Sequence, residues 1–179
     1  TAAVIGTGQI GAIVARLLWH LRCEVVAFDP VVDQGLVDLG VTYVGLDEAL
    51  AVGDIVTLNC PLNEHTHHLI DATSIAKMKP GARVINVARG DLVDAAALAD
   101  AVKSGHLAGA AVDVFPDEPA TESPLFGVPG IVVTPHLGAS TVEAQDKAGD
   151  TIADMVLLAL AGDFVPYAVN VSAGEVNET

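Results

Sequence analysis

The stretch AAVIGTGQIG, residues 2–11, decides the fold. Ala2–Ile5 is a short apolar run that predicts a buried strand, and apolar residues recur at helical spacing over residues 10–21. Three glycines, Gly6, Gly8 and Gly11, lie at the junction where the predicted strand gives way to the predicted helix. The chain is therefore expected to open with a strand, a glycine-rich turn and a helix.

Strands and helices alternate through the rest of the sequence. Further strands are predicted at residues 24–28, 41–44, 54–58, 82–87, 108–114 and 131–134. Helices are predicted at residues 34–38, 46–51, 94–104 and from 140 to about 161. Asp94 and the pattern Ser140-Thr-Val-Glu143 are expected N-caps, and Gly105 is an expected stop. Repeated strand–helix–strand units predict an α/β fold of the Rossmann type, a doubly wound parallel sheet flanked by helices.

The pattern also predicts the domain organisation. Residues 1–162 are expected to form one domain that ends in a long helix. The tail 163–179, DFVPYAVNVSAGEVNET, departs from the alternation and is expected to lead to a substrate or regulatory domain outside this sequence. Because Thr1 is not Met and a strand begins at once, we expect the chain to be a fragment of a longer protein.

Composition narrows the classes of partner and compartment. The 179 residues are 51% hydrophobic but only 4% aromatic, which suits strands buried between two helical layers. A net charge of −15 repels phosphate backbones and argues against nucleic-acid binding. No apolar run approaches the ~18 residues of a membrane span, and no export leader is evident. Cys23 and Cys60 form no metal or redox motif, so the sequence predicts buried free thiols and a cytoplasmic protein.

The glycine turn has the context that a dinucleotide-binding motif requires. Gly6-x-Gly8-x-x-Gly11 follows a strand and opens a helix, and Asp29 ends the next strand, 18 residues beyond Gly11. The helix N-terminus would face the pyrophosphate. Asp29 would hydrogen-bond the ribose hydroxyls and repel a 2′-phosphate, which predicts NAD rather than NADP.

Three further side chains follow predicted strands at the edge where open parallel sheets bind ligands. Arg89 suits a substrate carboxylate, His136 can exchange a proton near neutral pH, and Glu118 can orient the imidazole. Beside a nicotinamide, such a set performs hydride transfer at C2 of a 2-hydroxy acid. Taken singly, each residue also fits a structural role, so the prediction depends on their shared position.

Four motifs, VIGTGQIG, NVARGDLVD, AAVDVFPDEP and TPHLGAST, resemble those of the D-isomer-specific 2-hydroxyacid dehydrogenases. HLGAST followed by EAQ, and the tail VPYAVNV, are most similar to the D-3-phosphoglycerate dehydrogenase branch of that family. The resemblance implies NAD-dependent oxidation of 3-phosphoglycerate to 3-phosphohydroxypyruvate, which is the entry to serine biosynthesis. It also implies a homo-oligomer that dimerises through this domain.

The resemblance further implies the roles of individual residues. The implied catalytic set is Arg89, Glu118 and His136, with His136 as the acid and base. Besides the three motif glycines, the implied NAD contacts are Gln9, Ile10, Asp29, Cys60 through its backbone, Val87, Ala88, Arg89, Asp113 at the carboxamide, His136, Leu137, Gly138 and Ala139.

Two departures from the family pattern bear on activity. Gln9 stands where the family commonly has Arg, so a charged pyrophosphate contact is missing. The substrate domain that would face this one is absent, and Arg89 is the only one of eight basic residues placed at the strand edge. The chain is therefore expected to bind NAD with little or no turnover.

Two alternatives and one expected absence complete the sequence predictions. The chain could instead belong to a glyoxylate or hydroxypyruvate reductase, or to a dehydrogenase-like corepressor module that uses NAD to control assembly. The histidine-rich stretch EHTHH, residues 64–68, has no second ligand cluster in the sequence, and we interpret it as a solvated loop. No metal site is predicted.

Overall fold

Seven parallel strands form one sheet in this computed structural model, which describes residues 1–166 and 168. The strands are short and mostly buried. Their bounds are β1 Ala2–Ile5, β2 Val25–Phe28, β3 Thr42–Tyr43, β4 Ile55–Leu58, β5 Arg83–Asn86, β6 Gly109–Val112 and β7 Ile131–Val133.

The strand order is β3-β2-β1-β4-β5-β6-β7, and every pairing is parallel. Ile5 at the end of β1 pairs with Phe28 on one side and Leu58 on the other. The chain builds outward in one direction from β1 to β3 and in the other from β4 to β7, so the order reverses between β1 and β4. This arrangement confirms the predicted Rossmann-type fold and places the switch point at the glycine turn.

Six α-helices and one 3₁₀ helix connect and follow these strands within the described residues. Their bounds are α1 Gln9–His20, α2 Gln34–Leu39, α3 Leu46–Val52, α4 Ala72–Ile75, the 3₁₀ helix Gly90–Leu92, α5 Ala95–Lys103 and α6 Val142–Ala161. Asp94 caps α5 as predicted, because its carboxylate accepts from the N–H groups of Ala96 and Ala97.

Two short helices and one helix start differ from the sequence predictions. Neither α4 nor the 3₁₀ helix was predicted, although Asp71 and Ser74 form a capping box at the start of α4. The long helix was expected to open with Ser140 as its N-cap. Instead Thr141 is the cap, and its hydroxyl accepts from the N–H of Ala144. The prediction was wrong by one residue because Ser140 and Thr141 are both good caps, and a sequence pattern does not fix which one leaves the helix.

The sheet buries a separate apolar cluster on each of its faces. Along β1, Ala3 and Ile5 belong to the larger cluster and Val4 to the smaller one, as the alternation of side chains across a strand requires. Residues of α1 and α2 complete the smaller cluster, while α3, α4 and α5 contribute to the larger one. Burial on both faces explains why the strands read as continuous apolar runs.

The chain divides into two compact units, Thr1–His136 and Leu137–Thr179. The first contains the whole sheet with α1 to α5, and the second contains α6. The predicted domain boundary at residue 162 stays a prediction, and most of the predicted tail lies outside the described residues. Among the described residues, no helix combines the length and apolar character needed to cross a membrane.

We expect Gly11→Ala to lower the free energy of unfolding by about 3 kcal/mol, the upper end of the usual cost of overpacking. A Cβ at Gly11 would collide with the carbonyl oxygen of Gly6 and would lie 3.1 Å from Cβ of Asn59. Gly8→Ala is the matched control, since a Cβ there meets nothing within 4 Å. It should cost less than about 1 kcal/mol, through its poorer capping. Urea unfolding followed by circular dichroism measures both, and equal losses would contradict the packing argument.

Candidate active site

The glycine turn is held by close backbone approaches at two of its three glycines. Gly6 has a φ of +89°, and a Cβ there would lie 2.6 Å from the backbone nitrogen of Cys60. Gly11 packs against the carbonyl of Gly6, whereas the space around Gly8 is open. The turn therefore needs glycine at its two ends for its own geometry, and at its centre it leaves room for another molecule.

Asp29 is fixed at the end of β2 by two backbone donors. The N–H of Thr7 donates to one carboxylate oxygen at 2.7 Å, and the N–H of Val31 donates to the other at 2.8 Å. The hydroxyl of Tyr43 donates to Oγ1 of Thr7 at 2.8 Å. Thr7 and Tyr43 were not identified from the sequence, because their contribution is a contact between three strand ends rather than a motif.

A cavity of about 380 Å³ lies beside Asp29 and falls within the size range of ligand pockets. Gly6, Asp29 and Cys60, all predicted contacts of the cofactor, line it together with apolar residues such as Phe28 and Leu46. Burial raises the pKa of the Cys60 thiol. A raised pKa keeps the sulfur protonated and unreactive, which fits a role in packing rather than in nucleophilic chemistry.

The residues around the turn fit a dinucleotide. Gly8 is the N-cap of α1, and no side chain of the described residues caps the helix there. Gln9 and Ile10 open the helix and are exposed, while Gly11 is buried. An uncapped helix start above an open glycine suits a pyrophosphate, and the fixed carboxylate of Asp29 suits a ribose diol.

Arg89 lies on a turn that a buried asparagine shapes. Asn86, at the end of β5, donates through Nδ2 to the carbonyl of Arg89 at 2.8 Å and accepts from the N–H of Ala88 at 3.1 Å. The Arg89 guanidinium donates to the carbonyl of Ala88 at 2.6 Å and is exposed, as is Val87. Asn86 was not predicted from the sequence. Its position at the end of a strand, directly before the predicted contacts Val87–Arg89, could have identified it.

Glu118 and His136 form a hydrogen-bonded pair. Nδ1 of His136 lies 2.6 Å from Oε2 of Glu118, and Oε1 of Glu118 accepts from the N–H of Phe115 at 2.9 Å. The His136 side chain, first, and the Phe115 N–H, second, hold the pKa of the Glu118 carboxyl below its ordinary value. An ionised carboxylate on Nδ1 fixes the orientation of the imidazole ring. The backbone φ of His136 is +57°, an unusual value for a residue other than glycine.

A second cavity, of about 200 Å³, adjoins this pair. Glu118 and His136 line it with Phe115, Phe126 and other apolar residues, and the two phenylalanine rings meet edge to face. Asp113 is only 6% exposed, and the Thr134 hydroxyl donates a hydrogen bond to its carboxylate. The cavity beside Glu118 and His136 therefore combines an ionised carboxylate with apolar walls.

The remaining predicted contacts are distributed less tightly. Leu137, Gly138 and Ala139 are exposed and belong to the second unit, where the N–H of Ser140 donates to the carbonyl of Leu137 at 2.9 Å. Within residues 1–166 and 168, Arg89 has no ion pair with Glu118 or any other acid. The structure thus joins Glu118 to His136 but leaves Arg89 outside that pair.

Comparison with known proteins identifies the family. The model of the NAD-binding domain of the D-isomer specific 2-hydroxyacid dehydrogenases matches residues 1–138. The chain belongs to this family. The match confirms the family and the NAD cofactor that the sequence predicts, and the region that it covers contains the glycine turn, Asp29 and the Glu118–His136 pair.

A relative and two solved structures place the chain within the 2-hydroxyacid dehydrogenases. D-3-phosphoglycerate dehydrogenase of Mycobacterium bovis is 51% identical over an alignment of 179 positions, which covers 99% of this chain and 34% of the relative. A D-lactate dehydrogenase from Treponema pallidum superposes with a TM-score of 0.86 at 32% identity, over 95% of this chain and 55% of that one. A D-lactate dehydrogenase from Aquifex aeolicus, complexed with NAD and lactic acid, superposes with a TM-score of 0.83 at 31% identity, over 90% of this chain and 54% of that one. The chain spans about a third of the length of the curated relatives it matches.

We expect His136→Gln to raise the pKa of the Glu118 carboxyl towards its ordinary value. The hydrogen bond from His136 is the largest influence that stabilises the ionised form, so its loss makes protonation easier. The carboxyl-carbon chemical shift of Glu118, followed by NMR during an acid titration, measures the change. His65→Gln, which removes an exposed histidine from another loop, is the control and should leave the titration of Glu118 unchanged. An unchanged titration in His136→Gln would contradict the assigned pairing.

Proposed function

We propose that the chain is the NAD-binding domain of a D-3-phosphoglycerate dehydrogenase, which oxidises 3-phosphoglycerate to 3-phosphohydroxypyruvate at the entry to serine biosynthesis. The hydrogen bond between His136 and Glu118 is the observation that carries the chemistry. Identity of 51% to the mycobacterial enzyme over nearly the whole chain supports this substrate over other 2-hydroxy acids.

His136 is the proposed acid and base. Nε2 takes the proton of the substrate C2 hydroxyl during oxidation and returns it during reduction. The Glu118 carboxylate on Nδ1 stabilises the imidazolium that forms, and its lowered pKa keeps it ionised while it does so. NAD, when bound, accepts the hydride that leaves C2.

The residues at the glycine turn would hold the cofactor. The start of α1 at Gly8 and Gln9 faces the pyrophosphate, and Asp29 binds the adenosine ribose and repels a 2′-phosphate. The other residues proposed to contact NAD are Ile10, Cys60, Val87, Ala88, Asp113, Leu137, Gly138 and Ala139.

Arg89 is proposed to bind the substrate carboxylate and to polarise the carbonyl that forms at C2. Its exposed guanidinium donates to the neighbouring carbonyl of Ala88 and forms no ion pair within residues 1–166 and 168, so it can turn to an anion at small cost. The substrate also carries a phosphate, whose cationic ligands would come from the two thirds of the relatives' length that this chain does not span. The chain alone should therefore bind NAD with little turnover. We further propose that the whole enzyme is a cytoplasmic homo-oligomer.

The chain is expected to bind NADH and to bind NADPH at least about 10-fold more weakly. Asp29→Asn should lower the affinity for NADH by about 10-fold or more, the effect of losing a hydrogen bond to a charged group. It should also narrow the difference between the two cofactors, since the charge that repels the 2′-phosphate is gone. Binding is measured by the quenching of Trp19 fluorescence and by the change in the fluorescence of the reduced cofactor. Asp100→Asn, which alters an exposed acid on α5, is the control. Equal affinities for NADH and NADPH in the unchanged chain would contradict the role of Asp29.

Turnover is tested in the full-length enzyme, with 3-phosphoglycerate, glyoxylate and D-lactate as substrates. We expect 3-phosphoglycerate to have the highest kcat/KM, and His136→Gln to lower kcat by at least about 100-fold, which is the usual contribution of a general base. His106→Gln is the matched control because the ring of His106 hydrogen-bonds to a backbone carbonyl, that of Ile75, and His106 is not a predicted site residue. A preference for glyoxylate would point to a reductase of that substrate. NAD-dependent assembly without turnover would point to a corepressor module.

A further inference from the structure

Three potential metal ligands, none of them a predicted active-site residue, come together near the surface. His67, His68 and Asp91 each offer one ligand atom, and these atoms lie within 4.8 Å of one another. The two imidazole rings are stacked, with centroids 4.1 Å apart and an angle of 22° between their planes. Both histidines are exposed, and Asp91 is half-buried. The stacked rings and the carboxylate thus bring three potential ligand atoms into one region of space.

Backbone hydrogen bonds hold the two segments that carry these ligands. The N–H of His68 donates to the carbonyl of Asp91 at 2.7 Å, and the N–H of Ile70 donates to the carbonyl of Leu92 at 3.0 Å. Ile70 and Val93 form a parallel β-bridge just beyond. Asp91 is therefore fixed beside the histidines by main-chain geometry rather than by its own flexible side chain.

The loop before the histidines is ordered by its own side chains. The hydroxyl of Thr66 donates to the carbonyl of Pro61 at 2.7 Å, and the N–H of His67 donates to the carbonyl of Asn63 at 2.9 Å. His68 has a φ of +49°, the left-handed conformation that side chains other than glycine rarely adopt. This turn places two consecutive histidines on the same side of the loop, whereas in an extended segment they would point to opposite sides.

We propose that His67, His68 and Asp91 form a binding site for a divalent late transition-metal ion, with zinc as the ion most suited to it. Two imidazole nitrogens and one carboxylate oxygen are ligands that zinc accepts, and a fourth position would be left for water. Ligand atoms at about 2.0–2.2 Å from the ion must approach one another more closely than 4.8 Å. Rotation of the two exposed imidazoles would shorten these distances. The net charge of −15 also favours cations at the surface.

The site does not depend on the proposed dehydrogenase activity. None of its three ligands belongs to the predicted catalytic or NAD-binding residues. The sequence interpretation of residues 64–68 as a solvated loop rested on the lack of a further ligand. Asp91 supplies one, from a position 23 residues beyond His68 that only the fold brings close.

Calorimetric titration of the chain with zinc chloride tests the proposal. We expect one zinc ion per chain, and both His67→Gln and Asp91→Asn should weaken its affinity by at least about 10-fold, the lower limit for loss of an outer-shell partner. His65→Gln is the matched control: it removes an exposed histidine from the same loop that is not one of the three ligands. His68 is left unchanged because its positive φ makes a substitution harder to interpret. Affinity should fall in acid, since metal ligands must be deprotonated.

A second readout separates the site from loss of folding. Cobalt should give visible absorption bands of four-coordinate geometry in the unchanged chain and in His65→Gln, but not in His67→Gln or Asp91→Asn. Circular dichroism should show the same fold in all four proteins, because His65 and His67 are exposed and Asp91 is held in place through its main chain. The proposal is overturned if the unchanged chain binds no zinc. It is equally overturned if Asp91→Asn binds as tightly as the unchanged chain, for then the histidines act without the carboxylate.

Discussion

The close contact between the first turn and the end of β4 is the constraint on which the rest of the structure depends. Gly6 lies against the backbone of Cys60, and Gly11 lies against the carbonyl of Gly6, so α1 must begin directly above the point where the strand order reverses. A side chain at either glycine would separate the helix from the sheet. Because the contact is made by backbone alone, it leaves the start of α1 uncapped and the space at Gly8 open, which is the geometry that an anionic cofactor requires.

The all-parallel sheet then determines where the predicted site residues lie. Parallel strands all end at one edge, so Asp29 after β2, Arg89 after β5 and His136 after β7 reach the same edge from distant parts of the sequence. Small polar residues at the strand ends convert this coarse placement into fixed geometry. Thr7 fixes Asp29, and Asn86 shapes the turn that carries Arg89.

The sequence allowed the sheet and the edge to be predicted because both depend on periodic patterns. Continuous apolar runs identify buried parallel strands, and the glycine spacing with Asp29 identifies the binding turn. Contacts between strand ends have no such pattern. Tyr43 reaches Thr7 across 36 residues, and Glu118 reaches His136 across 18, so the tyrosine was missed and the carboxylate–imidazole pair was expected without its geometry. The start of α6 was missed by one residue for a more local reason: two adjacent residues could each have been the cap.

Carboxylates and histidines occur together at two places in the structure, and the hydrogen bonds of each carboxylate determine which chemistry the place favours. In Glu118, one oxygen accepts from His136 and the other from the N–H of Phe115, so both are committed to orienting a single imidazole. That arrangement favours proton exchange, because the charge is matched to one ring at 2.6 Å. Asp91 is instead held through its main-chain carbonyl, and one of its carboxylate oxygens lies within 4.8 Å of a ring nitrogen of each stacked imidazole. A carboxylate that lies near two rings suits a cation bound among the three groups. A carboxylate that is hydrogen-bonded to one ring suits the transfer of a proton.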